Sequence, residues 1–337
     1  MDLITQGLLG STVAQAGFSR KLGKKTALYG LILGFLPDFD IIARFWGEWA
    51  SLKYHRGPTH SLILLSLAAI PTGYILKKIS GSDKPLKTWV GLSFFSLVTH
   101  PLIDWCTTYG TPLWWPLNNN RLANDALPII DPLYSLPLLA VTLIGIFNLL
   151  TPRKRKALAL FALMISSLYA FWGYRNSQNI IKKGKNLFKA ENFEPEVIRA
   201  TPTLFNNQLF RVVAKDKNHN FMVSYMKAGN GHTSTKIEKI ISDRGKYVAA
   251  CLNHKHGKLF KWFSMDMLCP KVKKRDDGKV EVNLHDMRYG FMTDLSRSLF
   301  IARAVFDEND NIIEFTRIRG SNLSFKQELK RMCEEFF

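Results

Sequence analysis

The sequence predicts an all-α multi-pass membrane domain of about five or six helices over residues 1–175, followed by a soluble α+β or mostly β domain over residues 176–337. Three observations lead there: long apolar runs confined to the first half, basic residues clustered between those runs, and short β-branched and aromatic runs confined to the second half. Whole-chain averages hide this division. Hydrophobic residues make up 47% of the 337, charged residues 22%, and the mean hydropathy is −0.04, values ordinary for a globular protein. The net charge of +19 is shared by unlike halves, with 16 Lys/Arg against 8 Asp/Glu in residues 1–174 and 30 against 19 thereafter. The hydrophobic and aromatic content excludes a disordered chain, and 22 Gly with 4 Cys exclude a collagenous or disulfide-dense one.

Six apolar runs of 16 to 19 residues are candidate membrane segments: Leu3–Phe18, Thr26–Ile42, His60–Leu76, Thr88–Cys106, Pro132–Leu150 and Ala157–Tyr174. A helix rises about 1.5 Å per residue and needs roughly 17–25 residues to cross the hydrocarbon core, so the last four qualify and the first two are marginal. Pro132–Leu150 has no charged residue, and only TPRKRK separates it from the next run, which argues against two buried helices of a soluble core. Met1-Asp2 lacks a positively charged start and no small-residue cleavage site follows, so the first helix is expected to stay in the protein.

Basic clusters set the expected orientation in the cytoplasmic membrane, because Lys and Arg near helix ends stay inside. One side receives Arg20, Lys21, Lys24 and Lys25, then Lys77, Lys78, Lys84 and Lys87, then Arg153–Lys156, which makes 12 basic residues. The loops 37–59 and 106–131 hold only Arg44, Lys53, Arg56 and Arg121. Those two loops, and the second half of the chain, are therefore expected outside the cytoplasm. Arg175, Lys182, Lys183, Lys185 and Lys189 pull against that placement of the second half.

Ionisable residues inside apolar runs are costly, about 2.5–3.5 kcal/mol for an Asp at mid-depth, and ask for a reason. Here they gather. Asp38 and Asp40 sit in GFLPDFD, His55 and His60 in YHRGPTHS, His100 and Asp104 in THPLIDW, and Asp131 in IIDP, all on the expected outer side. His100 and Asp104 are four apart, so a helix puts them on one face. Asp38 and Asp40 flank Phe39 after Pro37, where a turn lets carboxylates converge. Imidazole with carboxylate is a ligand set for Zn²⁺, Mn²⁺ or Fe²⁺, and these residues suffice for one or two ions. Each also has a plainer reading: His100 with Asp104 as a packing pair, Asp38 and Asp40 as solvated caps, His55 as a loop residue, Asp131 as an Asp-Pro turn. Seven such residues on one side argue for a shared site.

The opening MDLITQGLLGSTVAQA, then LGFLPDFD, HRGPTHSL, VTHPLIDWCTTYGTPLWWP and IIDPLYSLP, resemble the YdjM-like family of multi-pass membrane proteins, described as metal-dependent hydrolases. The resemblance covers about residues 1–175, and PTLFNNQLFRVV and HDMRYG look like the soluble tail of some members. The family is regarded as a distant relative of zinc-dependent phospholipases C and single-strand nucleases, helical enzymes that cut phosphodiesters. By that resemblance Asp38, Asp40, His55, His60, His100 and Asp104 are the expected metal ligands, and the expected activity is hydrolysis of a phosphoester or phosphodiester by metal-activated water. Zinc is the first expectation for the cofactor, with Mn and Fe as alternatives. Asp104 binds the metal or orients His100. Arg56 neutralises charge on a phosphoryl oxygen by its adjacency to His55, and it reads equally as an interfacial anchor.

Membrane lipids surround such a site, so phospholipids or lipid-linked phosphates are the first substrate class, with nucleotides or nucleic acid outside the cytoplasm as the second. An ion-coupled transporter is the rival reading, and it calls for polar residues at mid-membrane and for inverted repeats, which the sequence does not show. A non-enzymatic scaffold with an exported binding domain is the third.

In the second half, RVVAKD, FMVSYM, KYVAACL, KLFKWFSMDML, VEVNL and LFIARAVFDENDNIIEFTRIRG read as strands, the last a hairpin around Asp307–Asn311. FKQELKRMCEEFF reads as a closing amphipathic helix with Phe325, Leu329, Met332 and Phe336 on one stripe. Cys251 and Cys269 are a possible disulfide in an exported domain, and His254 and His256, without a carboxylate partner, read as exposed loop residues. The even spread of lysine fits contact with anionic lipid head groups at least as well as nucleic acid.

Overall fold

The structure is a computed structural model and describes residues 1–229 and 236–320. The chain forms two compact units, one of residues 1–174 with 204–206, the other of residues 175–203 with 207 onward. The first is helical: α1 (Leu3–Leu22), α2 (Thr26–Phe35), a 3-10 helix (Leu36–Trp46), α3 (Glu48–Tyr54), a 3-10 turn (Pro58–His60), α4 (Leu62–Ser80), α5 (Leu86–Trp105), α6 (Pro132–Ile146) and the start of α7 (Pro152–Ala190).

Local chemistry sets the helix ends. Asp2 caps α1 by accepting from the Thr5 amide at 3.0 Å, and Ser61 caps α4 by accepting from the Leu64 amide at 3.2 Å. Asp131 caps α6 through the Leu133 and Tyr134 amides and also accepts from the Tyr169 hydroxyl at 2.9 Å. A 3-10 turn at Gly23–Lys25 folds α2 back onto α1. Glycine permits their close approach: a Cβ on Gly10 would lie 2.4 Å from the Gly30 carbonyl oxygen, and one on Gly34 would lie 2.5 Å from that of Gln6. The contact resembles the small-residue packing of membrane helices, where van der Waals contact and polar side chains hold the helices together.

Among the described residues three helical stretches are long and apolar enough to cross a membrane: Leu3–Trp46, Leu62–Ser80 and Pro152–Ala190. That is fewer than the five or six expected from the sequence. The first two expected segments belong to the single folded-back stretch Leu3–Trp46. Helix α5 is long enough, but it buries Thr88, Ser93, Ser96, His100 and Asp104 along one side and is too polar overall. Helix α6 ends at Ile146 after 15 residues, about 22 Å of rise against a hydrocarbon core of about 30 Å.

The second unit holds two four-stranded antiparallel sheets, each in sequential order. The first is β1 (Val197–Pro202), β2 (Leu209–Lys215), β3 (Phe221–Lys227) and β4 (Ile237–Ile240); the second is β5 (Leu268–Lys274), β6 (Val280–Asp286), β7 (Phe300–Phe306) and β8 (Ile312–Arg319). Strand β2 is buried along its whole length, and alternation sends its side chains into two cores. Phe210, Val212 and Ala214 pack with Ile180 and Phe188 of α7, while Leu209 and Val213 pack with Met267, Met287 and Leu295. Arg211, on the second face, donates to the carbonyls of Met287 (3.3 Å) and Leu295 (2.9 Å) and so ties the first sheet to the segment after β6. A wholly buried ion pair, Arg288 with Asp286 at 2.7 Å, closes that segment.

Two runs expected as strands are helices: KYVAACL lies in α8 (Lys246–Asn253) and KLFKWF in α9 (Lys255–Phe263). Their apolar residues follow helical spacing, with Val248 and Cys251 buried on one and Gly257, Phe260 and Phe263 on the other. His254 breaks the run by capping α9 through the His256 amide, and its ring stacks on Phe315 at 4.8 Å, so it is a packed cap and not a free loop residue. Cys251 and Cys269 are free thiols, the first on α8 and the second on β5, where it accepts a hydrogen bond from the Ser242 hydroxyl. The β7–β8 hairpin turns at Asp307, whose carboxylate accepts from the amides of Asn309 and Asn311. The stripe of Phe325, Leu329, Met332 and Phe336 lies outside the described residues.

Two consequences are measurable. Gly10→Val should force α1 and α2 apart at a cost of about 1–3 kcal/mol, seen as a lower melting temperature in detergent. Asp286→Ala, which removes the buried carboxylate that pairs with Arg288, should be destabilising by several kcal/mol, read by calorimetry of the full chain.

Candidate metal centre

Four segments bring ionisable groups to one place. Helix α5 presents His100 and Asp104 one turn apart, as their spacing requires, and both are buried. The 3-10 helix after α2, with Pro37 in its first turn, supplies Asp38 and Asp40. Helix α3 ends at His55, and the Pro58–His60 turn delivers His60.

Around His60 the polar atoms converge. Its Nε2 lies 3.0 Å from His100 Nε2, 3.3 Å from Asp38 Oδ1 and 3.3 Å from Asp104 Oδ2. His100 Nε2 is 3.5 Å from the same Asp38 oxygen and 3.7 Å from Asp104 Oδ2. The far sides of both rings are engaged. His100 Nδ1 donates to the Gly34 carbonyl at 2.7 Å, which leaves its Nε2 with a lone pair directed inward. The Thr59 hydroxyl donates to Asp40 Oδ2 at 2.6 Å and accepts from His60 Nδ1 at 3.1 Å, which fixes the orientation of the His60 ring. Two imidazole nitrogens and two carboxylate oxygens thus face one another.

Asp104 is held asymmetrically. Its Oδ1 accepts from Gln6 Nε2 at 2.9 Å, Arg56 Nη2 at 2.8 Å and the Met1 nitrogen, while its buried Oδ2 has no hydrogen-bond donor among the described residues. A buried carboxylate oxygen without a donor is costly, and a cation beside it removes the cost. That orphaned oxygen, with two imidazole nitrogens and Asp38, is a donor set suited to a divalent cation. Asp38, His60 and His100 each place a ligand atom within 4.8 Å of one another. Asp38, Asp40 and His55 form a second such group. His55 Nδ1 is 2.7 Å from Asp40 Oδ1, and Asp40 Oδ2 also accepts from the Arg56 amide at 3.0 Å.

The structure therefore brings together Asp38, Asp40, His55, His60, His100, Asp104 and Arg56. Asp131 stands outside the cluster as the cap of α6. Arg56 is buried, donates to Thr107 at 3.1 Å and lies 4.7 Å over the Tyr109 ring, so it is part of the cluster wall and not an interfacial anchor. Gln6, Thr59 and the Gly34 carbonyl, which orient the ligands, were not singled out as site residues from sequence. Gln6 carries a readable signal, an amide among the apolar residues Leu3, Ile4, Leu8 and Leu9 of α1. The Gly34 carbonyl carries none.

Loading with Zn²⁺ should leave stoichiometric metal on the wild type by elemental analysis, and His60→Ala or Asp104→Ala should abolish it. Gln6→Ala, which removes one of the donors that aim Asp104, should weaken retention against a chelator by about 10–100-fold.

A family model described as YdjM inner membrane protein matches residues 1–180. No curated protein and no solved structure matches the chain.

Proposed function

The chain belongs to the YdjM inner membrane protein family, and from that premise we propose that it is a membrane-embedded, metal-dependent hydrolase of phosphoesters or phosphodiesters. The observation that carries the reading is the convergence of His60 Nε2, His100 Nε2, Asp38 Oδ1 and Asp104 Oδ2 within the helical unit. A divalent cation, zinc by the mixed nitrogen and oxygen set, supplies a Lewis acid and a water nucleophile available near neutral pH.

The chain's own residues supply the rest. His60, His100, Asp38 and Asp104 would hold the ion, and Asp40 with His55 would complete a second group that shares Asp38. Gly34 and Thr59 fix the ring tautomers through His100 Nδ1 and His60 Nδ1. Arg56 balances Asp104 and keeps an Nε–H that has no partner among the described residues, a donor for a phosphoryl oxygen in the transition state. Asp104 both binds and, through Arg56, sets the position of that donor.

The test is a panel of bis(p-nitrophenyl) phosphate, phosphatidic acid and phosphatidylglycerol with purified, zinc-loaded protein. Release of product that stops with chelator and returns with Zn²⁺ is expected. Asp104→Asn should lower the rate at least 100-fold, and a rate indifferent to chelator would overturn the reading.

A further inference from the structure

The segment that brings the carboxylates also carries the most exposed apolar side chains near the site. In the 3-10 helix Leu36–Trp46, Asp38 and Asp40 turn inward, while Phe39 (59% exposed), Phe45 (89%) and Trp46 (73%) turn outward with Ile42. A second apolar piece comes from the loop after α5. Its Leu113 carbonyl accepts from the Leu62 amide at 2.9 Å and its Trp115 carbonyl accepts from Ser61 Oγ, so the exposed Trp114 and Leu117 are fixed beside the His60 turn. The cluster is thus flanked by outward-facing aromatic and aliphatic groups on two separate elements.

A site serving water-borne substrates would present polar side chains there. The rim is instead continuous with the surface expected to face lipid, because the exposed Leu28, Ile32 and Leu36 lead along α2 directly into Phe39. Trp at such a level is a usual residue of a membrane interface, where its apolar face meets acyl chains and its N–H meets head groups, and the Phe rings beside it suit the acyl side. The exposed basic side chains on this rim, Arg44 and Lys53, suit the anionic head-group layer. Asp38 and His55, partly exposed among otherwise buried ligands, mark the side on which the cluster opens.

On the reading of the cluster as a phosphoester site, we infer that its substrate is a lipid phosphate taken from within the leaflet. The phosphate reaches Asp38 and His55 while the acyl chains stay against Phe39, Phe45 and Trp46.

Binding separates this inference from hydrolysis. Zinc-loaded full chain in phosphatidylcholine nanodiscs is titrated with hexadecylphosphonate and with methylphosphonate, neither of which can be hydrolysed, and protein-free nanodiscs correct for partitioning. The long-chain phosphonate should bind at least 10-fold tighter, and the double variant Phe45→Ser, Trp46→Ser should lose that preference while still retaining zinc. Equal affinity for the two probes, or a preference that survives in the double variant, overturns the lipid inference. Preference without turnover on any phosphoester would remove the hydrolase reading and leave the lipid site standing. A nucleotide binding as tightly as the long-chain probe would point to a water-borne substrate and count against it.

Discussion

The helical unit depends on the burial of the Asp104 carboxylate. A charge of that size removed from water costs several kcal/mol unless donors or a counter-ion replace the lost solvent. The replacements come from distant parts of the chain: Gln6 and the Met1 nitrogen from the start of α1, and Arg56 from the loop after α3. Each must reach one oxygen, so the ends of α1 and α5 and the residue 56 loop are drawn to a single point. The other oxygen faces His60 Nε2 and His100 Nε2, where a divalent cation could replace the missing donor.

A second constraint follows from the first, since His100 lies one turn before Asp104 and must aim its Nε2 at the same place. Its Nδ1 has to find an acceptor on the opposite side, and the Gly34 carbonyl is there because α2 lies close against α1. Tight packing of helices at Gly10, Gly30 and Gly34 therefore helps set the orientation of His100. A side chain at Gly34 would move the carbonyl, and the imidazole would lose the bond that fixes its tautomer.

The residue types of the centre were legible in the sequence because carboxylates and imidazoles are expensive in apolar runs and here fall in only four short motifs. His100 and Asp104 could even be placed on one face from their spacing. Arg56 was legible only as a neighbour of His55, and its partner Asp104 is 48 positions away, beyond anything periodicity reports. The Gly34 carbonyl was invisible, since a backbone acceptor has no sequence signature and its place depends on a contact between two helices. The number of spans was misread for a related reason: hydropathy marks α5 and α6 as apolar, but a polar buried side and an early stop at Ile146 appear only in the folded chain. In the second unit, aromatic content disguised α8 and α9 as strands, and the cap at His254 that separates them is a single residue among many polar ones.

Asp38 belongs to both candidate ligand groups, and this limits how the centre can fill. A carboxylate shared by two cations would divide its charge between them, so an ion held by the group with His60 and His100 would weaken the hold of the group with Asp40 and His55 on a second. Asp40 opposes that loss because it is tied to the Arg56 amide and the Thr59 hydroxyl, and it keeps His55 in place with or without an ion. The two groups are consequently unequal: one is buried and lined by oriented imidazoles, the other is partly open and held by hydrogen bonds.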